Sequence, residues 1–96
     1  EKEKLVPKKV QKEQIIKGLK KSIELIEKIE IFEPENLEDN FRNLADEINL
    51  KAGQLFFPIR IALTGRKESP PLFDTMKAIG VQSSIKRLNK AINILE

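Results

Sequence analysis

The chain contains no cysteine and no histidine. Disulfides, thiol nucleophiles, zinc sites built from Cys and His, and every mechanism that needs an imidazole base are excluded with them. Tryptophan and tyrosine are missing as well, and the five aromatic residues are all Phe. A surface that stacks many unpaired bases on aromatic rings is therefore not on offer. No apolar run approaches the length of a membrane span or of a signal-peptide core, so the expectation is a cytoplasmic setting and no membrane partner. With 96 residues there is room for one hydrophobic core. A single domain over residues 1–96 follows, and an enzyme with separate substrate and cofactor lobes does not. The opening at Glu1, without Met and followed by mostly charged residues, reads as a domain excised from a longer polypeptide.

What is present is charge, unevenly spread. Apolar residues make up 40% of the chain and charged residues 34%, which suits a thin core under a heavily charged exterior. The net charge is +3, yet residues 32–50 carry one Arg against six acids, between two stretches rich in Lys and Arg. A phosphate backbone would favour the flanks and avoid the middle, because each phosphate neutralised adds affinity. Solvated helix faces produce the same pattern, so this signal is weak unaided.

Apolar periodicity predicts five helices in an all-α domain. From Lys8 to about Ile31, after Pro7, residues Ile16, Leu19, Ile23, Ile26 and then Ile29 or Ile31 recur at steps of three and four, with Gly18 costing about 1 kcal/mol inside. Pro34 closes that region. A second helix is expected from about Glu35 to Ile48 on Leu37, Phe41, Leu44 and Ile48. A third, from about Gln54 to Leu63, contains Pro58 and stops at Gly65. Ser69 is expected to cap a fourth, with Pro70 and Pro71 in its first turn, Leu72, Met76 and Ile79 on its face, and Gly80 ending it in a left-handed turn. Val81 to Leu95 supplies a fifth on Ile85, Leu88, Ile92 and Leu95.

Periodicity does not explain the crowding of Arg60, Thr64, Arg66, Lys67 and Ser69 around Gly65. An Arg fork pairs with a phosphate or base edge and stacks on a base face, while a helix start offers free amides. Arg60 and Thr64 lie four residues apart, hence on one helix face, and the turn at Gly65 would bring Ser69 back towards it. Without further information, a helix cap and a snorkelling Arg account for the same residues.

The run Gly53-Gln54-Leu55-Phe56-Phe57-Pro58-Ile59-Arg60-Ile61-Ala62-Leu63-Thr64-Gly65-Arg66, followed by Ser69-Pro70-Pro71-Leu72-Phe73, resembles the C-terminal anticodon-binding domain of bacterial-type glutamyl-tRNA synthetases. The Ile79-Gly80 ending and the Arg87-Leu88 helix are similar too, while Phe57 and Pro71 depart from the family pattern. The likeness is specific from about Lys51 to Leu95 and general before that. It implies an α-superhelical cage that receives the anticodon loop of a glutamate-accepting tRNA. By motif position, Arg60 would contact the anticodon bases. Ser69, Pro70 and Leu72 would line a pocket for the first two, with Thr64 and Arg66 as further candidates. The third base would be read elsewhere in the parent.

The partners so implied are tRNA and the rest of a glutamate–tRNA ligase, with ATP and Mg²⁺ serving that parent and no cofactor, metal or catalytic residue in this monomeric fragment. Class I nucleotide-binding signatures and Gly-rich phosphate loops are missing from these residues. The competing reading is a helical protein-interaction module that docks through an exposed stripe of Leu55, Phe56 and Phe57.

Overall fold

The computed structural model describes residues 5–68 and 70–96. Among them are five helices and no strand: α1 (Lys12–Lys28), α2 (Pro34–Glu47), α3 (Ala52–Thr64), α4 (Leu72–Ile79) and α5 (Val81–Leu95). The all-α expectation holds, with the differences at helix ends.

Helix α1 begins at Lys12, four residues beyond the expected start at Lys8. Pro7 is not its first-turn proline. Lys9 adopts φ 68°, which breaks the chain before the helix, and the start is set by Gln14, whose Oε1 accepts the Gln11 amide at 2.8 Å. The helix ends at Lys28, so Ile29 is its C-cap and Ile31 is 60% exposed. Its buried stripe is Ile15, Leu19, Ser22 and Ile26, with Ile16 and Ile23 flanking it half-buried. Leu19 and Ile26 of the expected face are thus buried, while Ile16 and Ile23 lie at its edge.

Pro34 opens α2 rather than merely closing α1; at the first helical position its missing N–H is no loss. At the other end Asn49, at φ 61°, permits a full Schellman closure. The Asn49 amide bonds the Asp46 carbonyl at 3.1 Å and the Leu50 amide bonds the Ala45 carbonyl at 2.9 Å. Leu50 is thereby turned into the core.

Helix α3 starts at Ala52 and repeats the device of α1, with Gln54 Oε1 accepting the Lys51 amide at 2.9 Å. Pro58 stands buried in the middle of this helix, where it has no N–H for the Gln54 carbonyl. Gly65, at φ 75° and ψ 7°, closes α3 as expected, its amide bonding the Ile61 carbonyl at 2.7 Å. The N-cap of α4 is Pro71, not Ser69, so both prolines precede the helix. Ser69 itself lies outside the described residues. Gly80 does end α4, but at φ 96° and ψ 167°, an extended mirror region open to glycine rather than the left-handed helical one. That one residue is C-cap to α4 and N-cap to α5.

The core gathers Leu19, Leu37, Phe41, Leu55, Ile59, Met76, Leu88 and Leu95, all essentially inaccessible to solvent. Helix α1 packs most extensively against α5, and α2 against α4. At Gly18 α1 lies close against its neighbours: a Cβ there would stand 2.9 Å from Leu55 Cδ1 and 3.3 Å from Ile48 Cδ1. The glycine that looked like a helix defect is thus a packing contact. The Cα radius of gyration, 11.9 Å, matches the roughly 12–13 Å of a compact chain this long.

Candidate nucleic-acid interface

Helix α3 presents two unlike faces. Leu55, Pro58 and Ile59 turn inward, whereas Phe56, Phe57, Arg60 and Thr64 are half-buried at the boundary with solvent. The exposed stripe Leu55-Phe56-Phe57 expected of a docking module is not formed. Leu55 is at 0% exposure and Phe56 packs edge-on against Phe73 of α4, ring centroids 5.1 Å apart. Phe73 in turn leans on Phe41 of α2 at 5.4 Å. The Arg42 guanidinium covers Phe56 from above, 5.5 Å from the ring centroid, while pairing with Glu38 at 2.9 Å. Aromatic packing therefore fixes where α3 and α4 meet.

One turn beyond Phe56 stands Arg60, and the backbone after it is tied back to it. Thr64 Oγ1 donates to the Arg60 carbonyl at 2.7 Å and accepts the Arg66 amide at 3.1 Å. Arg60, Thr64 and Arg66 are accordingly brought together, but the Thr64 hydroxyl serves the helix end. Arg66, Lys67 and Glu68 follow, exposed to solvent. Gln54 of the same motif is likewise a cap.

The residues at the start of α4 are placed differently. Pro70 is exposed, beside Asp74, Thr75, Ala78 and Ile79 in a shallow depression. Leu72 is 3% exposed, at the floor of a groove whose walls include Glu33, Glu35, Glu38 and Asp74. That groove is acidic, and Lys77 Nζ pairs with Glu33 across it from α4 to α2. Phosphates would be repelled from it at the effective dielectric of a protein surface. The cationic side of the segment is the Arg60-to-Lys67 side.

Sequence reading missed one participant. Arg87, on α5, donates from Nη1 to the Leu63 carbonyl at 2.6 Å. With Lys90 it lines a pocket of about 370 Å³ beside Leu63, Thr64 and Gly65. The residue was visible in the Arg87-Leu88 likeness and as a cation beside the apolar stripe of α5, but nothing in a 24-residue separation signals the bond. Among the described residues no group of three or more His, Cys, Asp or Glu could hold a metal ion. The four glycines stand singly, so no phosphate-cradling loop exists either.

Comparison with known proteins gives a consistent picture. Residues 1–92 match the family model described as anticodon binding domain. Glutamate–tRNA ligase 2 of Thermoanaerobacter pseudethanolicus is 36% identical over 94 residues, covering 98% of this chain and 20% of that protein. Glutamate–tRNA ligase of Roseiflexus castenholzii is 38% identical over 91 residues, covering 95% and 18%. Among solved structures, a glutamate tRNA ligase from Elizabethkingia meningosepticum in complex with its amino acid superposes with a TM-score of 0.76 at 26% identity. That match covers 95% of this chain and 20% of the other. The chain spans about a fifth of the length of these relatives.

Proposed function

The chain belongs to the anticodon binding domain family, and from that premise we propose that it is the anticodon-holding, C-terminal part of a longer glutamate–tRNA ligase. The parent joins glutamate to its tRNA using ATP and Mg²⁺ bound in its other domains. The 96 residues form one domain, work in the cytoplasm as a monomeric unit, and meet two partners: the anticodon loop and the rest of the synthetase. No described helix is long and apolar enough to cross a membrane.

The observation that carries this reading is a family match spanning nearly the whole chain, supported by the basic residues Arg60, Arg66 and Lys67 gathered about the end of α3. In it, Arg60 contacts the anticodon bases by stacking or through its fork, and Arg66 is available to a phosphate. Thr64 holds the backbone that carries both. The acidic groove steers the RNA backbone away from α2. Pro70 and Ser69 offer the flank of the base pocket, and Leu72 supports it from the core rather than presenting an open face. The protein-docking alternative loses its surface, because its three residues are packed.

The test is titration with an anticodon stem-loop RNA, following backbone amide signals. Expected are shifts concentrated over residues 60–67 and 70–72, with affinity falling steeply as salt rises. Shifts centred on Glu33, Glu35 and Asp74, or binding indifferent to salt, would contradict the assignment.

A further inference from the structure

We infer that Arg87 is a positioning residue for the RNA-facing segment, fixing from α5 the end of α3 that carries Arg60 and the turn at Gly65. The inference rests on the RNA-binding reading above. Leu63 lies in the last turn of α3, where carbonyls have no partner within the helix and the backbone dipole leaves negative charge. That last turn contains no basic residue of its own. Arg87 supplies the missing cation from another element, with Nη1 2.6 Å from the Leu63 oxygen. The Leu63 side chain is 2% exposed, so its carbonyl stands at a place the core defines.

Other described bonds hold the same backbone, two of them within the end of α3. Thr64 Oγ1 bonds the Arg60 carbonyl, and the Gly65 amide bonds the Ile61 carbonyl. Both are local and would move with the helix end as a unit. The bond from Arg87 joins that unit to α5, 24 residues away. The direction in which Arg60 and Arg66 point is therefore set relative to α5 by a charged, planar donor, which a flexible ammonium reproduces only in part. On this inference the contribution of Arg87 to RNA binding is geometric: its Nη1 donor is committed to the Leu63 carbonyl, and the salt dependence of binding tests whether its remaining donors meet a phosphate.

The experiment compares the wild-type 96-residue chain with Arg87→Gln and Arg87→Lys. Amide spectra and hydrogen exchange are recorded for each free protein, and an anticodon stem-loop RNA is titrated at several salt concentrations. Arg87→Gln is expected to shift amides over residues 61–67, to speed exchange at Gly65, and to weaken stem-loop binding about tenfold. The slope of log affinity against log salt stays as in wild type. Arg87→Lys recovers part of both effects. A slope reduced by nearly one charge would make Arg87 a direct phosphate contact and overturn the inference. So would undiminished binding by Arg87→Gln, or an undisturbed turn at Gly65. If the wild-type chain does not bind the stem-loop, the functional reading falls and this inference with it. Wild-type binding with an unaffected Arg87→Gln removes only the role of Arg87.

Discussion

Substituting Gly18 by Ala sets two known effects against each other at one site. In a helix interior the exchange gains about 1 kcal/mol of propensity. Here the new Cβ would stand 2.9 Å from Leu55 Cδ1, closer than packed carbons allow, and 3.3 Å from Ile48 Cδ1. Ile48 is half-buried and has room to yield, whereas Leu55 is fully enclosed and must leave its rotamer. Overpacking of this kind costs about 1–3 kcal/mol. Gly18→Ala should accordingly destabilise by about 0–2 kcal/mol. The decisive background is Leu55→Ala, which alone costs about 2–5 kcal/mol through lost burial and a cavity. It also deletes the δ-methyl that obstructs the new Cβ. In that background Gly18→Ala should stabilise by about 1 kcal/mol, giving a coupling of about 1–3 kcal/mol between the two positions. Urea unfolding of the four proteins, with unchanged slopes, would measure it. An equal effect of Gly18→Ala in both backgrounds would show that the close approach of α1 to α3 is not what glycine serves at this position.

Three further outcomes are expected. Arg60→Ala should weaken stem-loop binding by about 1–3 kcal/mol; a large melting shift with unchanged binding would make Arg60 a scaffold element. Ser84→Ala should stabilise the domain by about 1 kcal/mol in thermal unfolding, because Ser84 Oγ is buried with no described partner, whereas Ser22→Ala forfeits a 2.7 Å bond to the Gly18 carbonyl and should show no such gain. Gly65→Ala should cost about 1 kcal/mol although nothing lies within 4 Å of the added Cβ, since φ 75° is unfavourable for any L side chain. Gly65→Asn should recover part of that loss.

Helix number and type were legible because each helix carries its own apolar period, and Leu37, Phe41 and Leu44 led directly to the buried face of α2. In α1 the period found Leu19 and Ile26, but between the adjacent Ile15 and Ile16 it favoured the half-buried one, and only contact with α5 and α3 makes that choice. Its start was misplaced since Pro7 imitates a first-turn proline, while the working signal was the pair Gln11 and Gln14. At the candidate interface, the common face of Arg60 and Thr64 followed from four-residue spacing, and the tie between them is local. Leu72 was placed with Met76 on the apolar face of α4, where both are buried. The reach of Arg87 was invisible, because it depends on which helix lies alongside, and an arginine outside an apolar stripe reads the same in either arrangement.

Gly80 leaves no slack between α4 and α5, since a single residue ends one helix and begins the other. The two helices behave as the arms of a bracket cast at one angle. One arm carries Leu72 at its far end, and the other holds the Leu63 carbonyl through Arg87. The end of α3 and the start of α4 are thus both gauged from α5, independently of the segment 65–71 that joins them along the chain. A single residue inserted within α4 would turn the part of that helix before it by about 100° relative to the part joined to Gly80, and carry Leu72 away from the walls of the acidic groove on α2.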